Sequence, residues 1–384
     1  MNFDFVTAGR ILFGPGTIRQ AGPLAKTLGR RALLVTGASQ ERSVSFRHEM
    51  RENGVETIPF SVPGEPTIEQ VGQGIILARA NDCDMVIGYG GGSSLDAGKA
   101  IAILLANPGE VLDYLEIIGK GRVLSRPPLP FIAIPTTAGT GAEVTKNAVL
   151  ASTAHKVKVS LRSPLMLPSL VIVDPDLTRE MPPAVTAATG LDALTQVMEP
   201  FVSHAATPLT DGFCREGMAR AARSLRRAFS CGKDAAARED MALASLLGGL
   251  ALANAKLGAV HGFAGVLGGM FQAPHGAICA ALLPHVMAAN LMAMTAREPA
   301  NPALPRYDEV ARILTGSPQA AAADGVVWVR DLCADLGIPG LGRFGLRTEH
   351  IATVVAKAAG ASSMKGNPIL LDAGELTDIL TTAS

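Results

Sequence analysis

The sequence predicts an α/β domain followed by an all-α domain, and three observations carry that expectation. Short apolar runs alternate with helical patterns through the first half of the chain. Several of those runs end in glycine or threonine turns. After Asp174-Pro175 strand signals nearly vanish, and Ala and Leu at helical spacing dominate. Continuous apolar strands separated by helices imply a parallel sheet covered on both faces, in the manner of a Rossmann-like fold.

The elements follow in order. Residues 31–37, Arg-Ala-Leu-Leu-Val-Thr-Gly, read as a buried strand ending in a glycine turn. A helix is expected over roughly 65–82, with Val71, Ile75, Ile76 and Ala78 on its apolar side. Further strands are expected at 84–88, 131–135 and 170–174. Residues 206–230 and 236–247 read as helices, and 250–271 as a buried core helix that ends early. The proline-rich stretches 126–130 and 299–305 read as loops, and 320–323 as an alanine-rich helix start. Met181-Pro182-Pro183 marks a boundary, giving domains at 1–180 and 181–384. No internal repeat is evident.

Composition narrows the function classes. The chain has 384 residues, enough for two sizeable cores. Hydrophobic residues at 48% and charged residues at 18% exclude a disordered chain. A formal net charge of zero argues against a dedicated nucleic-acid or acidic-membrane surface. The five cysteines, Cys83, Cys214, Cys231, Cys279 and Cys333, are scattered and form no CxxC pair. That argues against a disulfide framework and a cysteine-based zinc site, and it fits a reducing compartment such as the cytoplasm. The N-terminus lacks the basic flank and apolar run of a signal peptide, and no membrane span is expected.

Two turns suit a phosphate-bearing ligand. Gly90-Gly91-Gly92-Ser93-Ser94-Leu95-Asp96-Ala97-Gly98-Lys99 joins a strand to a helix. Glycines let the backbone approach a ligand, and the exposed N–H groups of a helix start attract phosphate. Ser93 and Ser94 could cap the helix, and Lys99 is placed to add positive charge. The segment is neither a Walker loop nor a GxGxxG turn, and a tight turn needing glycine for backbone reasons alone is the competing account. The second turn, 135–143, offers the hydroxyls of Thr136, Thr137 and Thr140. A threonine-capped loop explains it equally well in isolation. Two such turns at neighbouring strand ends suit a dinucleotide better than a single phosphate.

A metal constellation lies in the second half. Only seven histidines occur, and two of them, His261 and His275, bracket a Gly-rich apolar segment. Imidazoles suit zinc and iron, and a carboxylate commonly completes such a set. Asp192 and Gln196 share a helix face four residues apart, with Glu199 nearby. Asp192 reads alternatively as a first-turn residue favoured by the helix dipole.

Taken together, Gly90-Gly-Gly-Ser93 with Asp96 and Lys99, the run Pro135 to Thr145, Gly190-Leu-Asp-Ala-Leu194 with Glu199, and His261 with Pro274-His275-Gly276 resemble the iron-containing (group III) alcohol dehydrogenase family. Their order and spacing match along almost the whole chain. The resemblance implies a dehydroquinate-synthase-like architecture, with an N-terminal dinucleotide-binding domain and a C-terminal helical metal and substrate domain. It implies that Gly91, Gly92 and Ser93 hold a pyrophosphate. Thr136, Thr137 and Thr140 would lie along the cofactor, and Lys158 would face it from the next strand. Asp192, His261 and His275 match metal ligands and catalytic residues. A homodimer or larger homo-oligomer acting on a small alcohol or aldehyde is also implied.

Two departures from the family pattern stand out. Gln196 occupies the place of the usual fourth ligand, a histidine. Gly265 occupies the place of a histidine near the nicotinamide that relays protons in relatives. Asp192, His261 and His275 alone make a complete zinc site with one open position, so Fe2+ and Zn2+ both stand as expected metals. No acidic residue ends the first expected strand: Gly37 stands there, followed by Ser39, Gln40 and Arg42, which favours NADP over NAD. Phe263, Met270 and Phe271, with Val144, Leu161 and the space at Gly265, are pocket candidates, unless they are plain core. Their apolar character favours a medium-chain or aromatic alcohol. The alternatives are a metal-independent, maleylacetate-reductase-like enzyme and a dehydroquinate-synthase-like lyase. The few basic residues near the metal candidates count against the lyase.

Overall fold

The computed structural model describes residues 2–155, 157–271 and 273–384. Residues 6–137 and 141–178 form one compact unit. Residues 179–384 form a second, which also takes in the chain up to Phe5 and residues 138–140. A division at 180/181 therefore misses two short segments that join the helical unit. Side-chain contacts explain both. Phe5 packs against Phe213 with ring centroids 5.9 Å apart, and the Gly139 carbonyl accepts a hydrogen bond from the Gln196 side chain.

Among the described residues the first unit holds eight strands: β1 (Ile11–Phe13), β2 (Arg31–Thr36), β3 (Glu56–Ser61), β4 (Met85–Gly90), β5 (Phe131–Pro135), β6 (Asn147–Ser152), β7 (Val157–Arg162) and β8 (Leu170–Val173). Six of them make a sheet in the order β1-β8-β5-β4-β2-β3, and every pairing in it is parallel. β6 and β7 form a separate antiparallel hairpin. Its helices are α1 (Ala21–Lys26), α2 (Val44–Glu52), α3 (Ile68–Ala80), α4 (Gly92–Ala106) and the one-turn α5 (Val111–Tyr114). A capping box between Thr67 and Gln70 starts α3, which is shorter at both ends than the expected 65–82.

The strands read from sequence, β2, β4, β5 and β8, are the buried central ones. The sheet edges, β1 and β3, are half-buried. From β2 the chain steps outward to β3, then returns to β4 on the other side of β2. That reversal is the topological switch point of the sheet, where ligands bind beyond the carboxyl ends of the strands. The turns that leave β2 at Gly37 and β4 at Gly91 meet there.

The second unit contains α6 (Pro183–Val202), α7 (Pro208–Ser230), α8 (Ala235–Asn254), α9 (Ala259–Phe271), α10 (His275–Arg297), α11 (Leu304–Thr315), α12 (Ala322–Asp335), α13 (Thr348–Ala359) and α14 (Ala373–Thr382). No strand occurs in it among the described residues. α6 is buried without interruption from Gly190 to Val202, so it runs through the core. Asp192 lies in mid-helix, which removes the first-turn reading of that residue. Residues 250–271 are not one helix: α8 and α9 meet at 97° across a short break. Gly258 stands in that break, and a Cβ there would lie 2.8 Å from Glu199 Oε1, so the turn has no room for a side chain. α11 begins inside the expected 299–305 loop. α10 is long and apolar enough to cross a membrane, but 72% of its apolar stretch is buried in the fold, as in a core helix.

Candidate functional site

In the sheet unit, the glycine turn does two jobs. A Cβ on Gly90 would sit 2.4 Å from Ser94 Oγ and 3.5 Å from the Gly37 nitrogen, so the turns after β4 and β2 approach closely. Further on, Gly88 and Gly98 let α4 settle against the Phe131 ring, where added Cβ atoms would lie 3.0 and 2.7 Å away. The N-cap of α4 is Gly91, and no side chain caps it. The expected capping by Ser93 or Ser94 is absent. The first amides of α4 are thereby left without a side-chain acceptor, the arrangement that attracts phosphate at helix starts. Gly92 and Ser93 form the first turn of α4. The Thr136 amide bonds to Gly90 O at 2.9 Å, and Thr137 Oγ1 lies 3.2 Å from where a Gly91 Cβ would be. Gly37 is half-buried, its carbonyl bonded by Ser61 Oγ at 2.9 Å. Ser39 and Arg42 are exposed.

Three charged residues of that unit turn out to be engaged elsewhere. Lys99 is 1% exposed. Its Nζ contacts Asp96 Oδ1 at 3.0 Å and donates to Ala142 O, Thr145 Oγ1 and Asn147 O. Its charge is spent inside the fold, which corrects the expectation that it faces a phosphate. Asp96 accepts the Val149 amide at 3.0 Å as well as pairing with Lys99, so it ties α4 to β6. Lys158 pairs with Glu65 at 3.0 Å.

The helical unit brings Asp192 from α6, His261 from α9 and His275 from the start of α10 together. Asp192 Oδ1 lies 3.5 Å from His261 Nε2 and 3.8 Å from His275 Nε2. Cys279 joins them, its Sγ 3.9 Å from His261 Nε2 and 3.6 Å from His275 Nε2. The four ligand atoms all lie within 4.8 Å of one another. On the far side of its ring, His261 Nδ1 stands 2.6 Å from Glu199 Oε2, while Glu199 Oε1 accepts the Val260 amide at 2.7 Å. With Glu199 Oε2 accepting, Nδ1 carries a hydrogen, and the tautomer that offers an Nε2 lone pair turns it to the cluster.

The residues fit a metal ion, and unsatisfied buried oxygens are the test. Asp192 Oδ1 and Gln196 Oε1 are buried with no hydrogen-bond partner. Gln196 spends its amide N–H on Gly139 O at 3.1 Å, which leaves its oxygen as the unmatched atom. A buried acceptor without a partner is costly, by about 1–3 kcal/mol, and a cation held between Asp192, His261 and His275 would satisfy the Asp192 oxygen. The electrostatics agree. Burial would raise the Asp192 pKa, but the charges of His275 and His261 overcome it and hold that carboxyl below its ordinary range. Burial opposes a charge on His261, yet Cys279, Glu199 and Asp192 outweigh it and push the imidazole well above its usual value.

The sequence reading brought Asp192, His261, His275 and Gln196 forward and named Glu199 only as a nearby carboxylate. It missed Cys279. The available signal was spacing: Cys279 follows His275 by four residues, hence on the same helix face. Three pocket candidates prove to be core. Phe263 is fully buried in the helical core, and Val144 and Leu161 are at most 1% exposed in the other unit. Met270 and Phe271 are half-buried, and Gly265 is exposed with open space where a Cβ would stand.

Comparison with known proteins gives a consistent result. A family model described as iron-containing alcohol dehydrogenase matches residues 8–175. A second, the C-terminal region of the Fe-containing alcohol dehydrogenase family, matches residues 186–384. The 1,3-propanediol dehydrogenase of Klebsiella pneumoniae is 39% identical over 349 residues, covering 88% of this chain and 87% of that protein. The NAD-dependent methanol dehydrogenase of Bacillus methanolicus is 33% identical, covering 97% of each. A crystal structure of 1,3-propanediol oxidoreductase superposes with a TM-score of 0.92 at 35% identity, covering 100% of both chains. Two matched halves, near-complete coverage and a shared fold leave one assignment: this chain belongs to the iron-containing alcohol dehydrogenase family.

Proposed function

We propose that this protein interconverts an alcohol and an aldehyde or ketone by metal-assisted hydride transfer, with Asp192, His261 and His275 holding the metal and NADP as the preferred cofactor. The observation that carries the metal reading is the buried, partnerless Asp192 Oδ1 facing two imidazole nitrogens. A bound divalent ion supplies Lewis-acid polarisation of the substrate oxygen. Glu199 keeps His261 in the tautomer that offers Nε2. His275, whose side chain is 33% exposed against 1% for Asp192, stands on the solvent side of the set. The amides at the start of α4, from Gly91 to Ser93, take the pyrophosphate, with Gly37, Gly90, Thr136 and Thr137 beside it. Asp96 acts on the cofactor only through the backbone it braces, and Lys158 is paired with Glu65. A metal-independent reduction is not favoured, because it leaves the Asp192 oxygen without a partner.

Four finer readings go with this. Gly37 at the end of β2 presents no carboxylate to repel a 2′-phosphate, and exposed Ser39 and Arg42 follow it. The half-buried Met270 and Phe271 suit an apolar substrate, while the propanediol- and methanol-named relatives bring short primary alcohols into consideration. The five free thiols suit the cytoplasm, and the working form is a homodimer or larger homo-oligomer.

The test is a panel of short, medium-chain and aromatic alcohols, oxidised with NAD+ and with NADP+ on metal-analysed protein. Turnover should rise with divalent metal content, vanish on chelation, and show the higher kcat/KM with NADP+. Full activity after complete chelation would end the metal-assisted reading. Preference for NAD+ would end only the reading of Ser39 and Arg42.

A further inference from the structure

Cys279 has no role in the function just proposed, yet it sits inside the same cluster. It is fully buried on α10, and its partners are the imidazoles of His261 and His275. Cys333, by contrast, spends its thiol on a backbone carbonyl, Ala280 O at 3.4 Å. We propose that Cys279 is a metal ligand, its Sγ completing a four-donor set with Asp192 Oδ1, His261 Nε2 and His275 Nε2. This rests on the reading of that cluster as a metal centre.

Geometry carries the inference. Tetrahedral zinc, with bonds of about 2.0 Å to nitrogen or oxygen and about 2.3 Å to sulfur, sets its donors roughly 3.3–3.6 Å apart. The distances between donors here are 3.5 and 3.8 Å from Asp192 Oδ1 to the two imidazoles. From Cys279 Sγ they are 3.6 and 3.9 Å. Along these four edges a contraction of a few tenths of an ångström reaches the tetrahedral spacing, and all four donor atoms lie within 4.8 Å of one another. The thiol is not there by default: at these distances it makes only weak hydrogen bonds, and Asp192 Oδ1 beside it is buried with no partner. The helix supplies the pairing, since His275 at the first position of α10 and Cys279 one turn later project from one face.

The donor chemistry has a consequence for metal choice. A thiolate with two imidazoles and a carboxylate suits Zn2+ and Co2+ better than Mg2+ or Mn2+, and four coordination suits zinc better than Fe2+. Ligation releases the thiol proton to solvent. Asp192, His261, His275 and Cys279 would hold such an ion with four protein donors, and its Lewis-acid chemistry would then depend on expansion beyond four-coordination.

The experiment is cobalt substitution of the full-length protein, followed by absorption spectroscopy. The wild-type protein should show the visible d–d bands of bound Co2+ together with a strong near-ultraviolet thiolate-to-cobalt charge-transfer band. Cys279→Ser should keep the d–d bands and lose the near-ultraviolet band, and its zinc affinity should fall. Cys333→Ser should keep both features. X-ray absorption of the wild-type zinc protein, which involves no substitution, should show one sulfur scatterer. Wild-type protein that holds cobalt without the charge-transfer band, or zinc without sulfur, overturns the proposal and leaves the metal centre standing. Wild-type protein that holds neither ion overturns both.

Discussion

Two buried polar clusters, one in each unit, behave oppositely. In the sheet unit Lys99 answers Asp96 and three further acceptors, and Asp96 also takes a backbone amide. In the helical unit Asp192 and Gln196 each keep a buried oxygen with no hydrogen-bond partner. Titration separates them as well. Burial raises the Asp96 carboxyl above its ordinary range even beside Lys99. For Asp192 the neighbouring imidazolium charges win over burial and the carboxyl is lowered. A polar cluster that satisfies itself is a brace, and one that ends in unmatched acceptors is a receptor for something else. The same two residue types, a carboxylate and a cationic partner, serve both ends.

The contrast is most exposed at Lys99. Lys99→Met should remove the cation, leaving Asp96 with only the Val149 amide and the surrounding carbonyls without their charged donor. A loss of about 3–5 kcal/mol is expected, read as the shift in urea unfolding. A loss below about 1 kcal/mol would mean that the brace is solvated and the comparison fails. The receptor cluster should respond differently. Glu199→Gln keeps the shape but presents an amide N–H to either His261 Nδ1 or the Val260 amide, both of which donate. His261 is then pushed toward the tautomer that protonates Nε2. Metal affinity should drop about ten- to a hundredfold, by competition with a chromophoric chelator. Unchanged affinity would show that Glu199 packs beside His261 without orienting it.

The sequence was most legible where burial is symmetrical. β2, β4, β5 and β8 are covered on both faces, so their residues form continuous apolar runs. β1 is three residues long and β3 carries Pro59 at a sheet edge, so neither makes such a run. His261 and His275 stood out because histidine is scarce and the segment between them is rich in glycine. Cys279 did not, because a lone thiol in an apolar helix is indistinguishable from core until its neighbour is known to ligate. The i,i+3 spacing of Asp96 and Lys99 was readable as an ion pair, but the adjoining glycines drew both residues into the phosphate argument. Phe263, Val144 and Leu161 show the other limit. Apolar composition states that a side chain avoids water, and only the fold decides whether it meets a core or a pocket.

The smallest effect is expected at Gly265, and it separates architecture from chemistry. Gly265 lies inside α9, its backbone is helical, and a Cβ added there would meet no atom within 4 Å. Glycine is a poor helix former, so Gly265→His should leave stability unchanged or raise it by about 0.3–0.5 kcal/mol, a shift of the thermal midpoint of a degree or two. The new imidazole would titrate near its ordinary pKa of about 6.5. If this position can relay protons, the pH profile of kcat/KM should acquire a limb near that pH while the metal content stays at the wild-type level. A thermal midpoint lowered by several degrees would show that the space beside Gly265 is not open. An unchanged midpoint with an unchanged profile would show that it is open but remote from the proton's path, leaving the glycine as a simple absence of side chain rather than a lost relay.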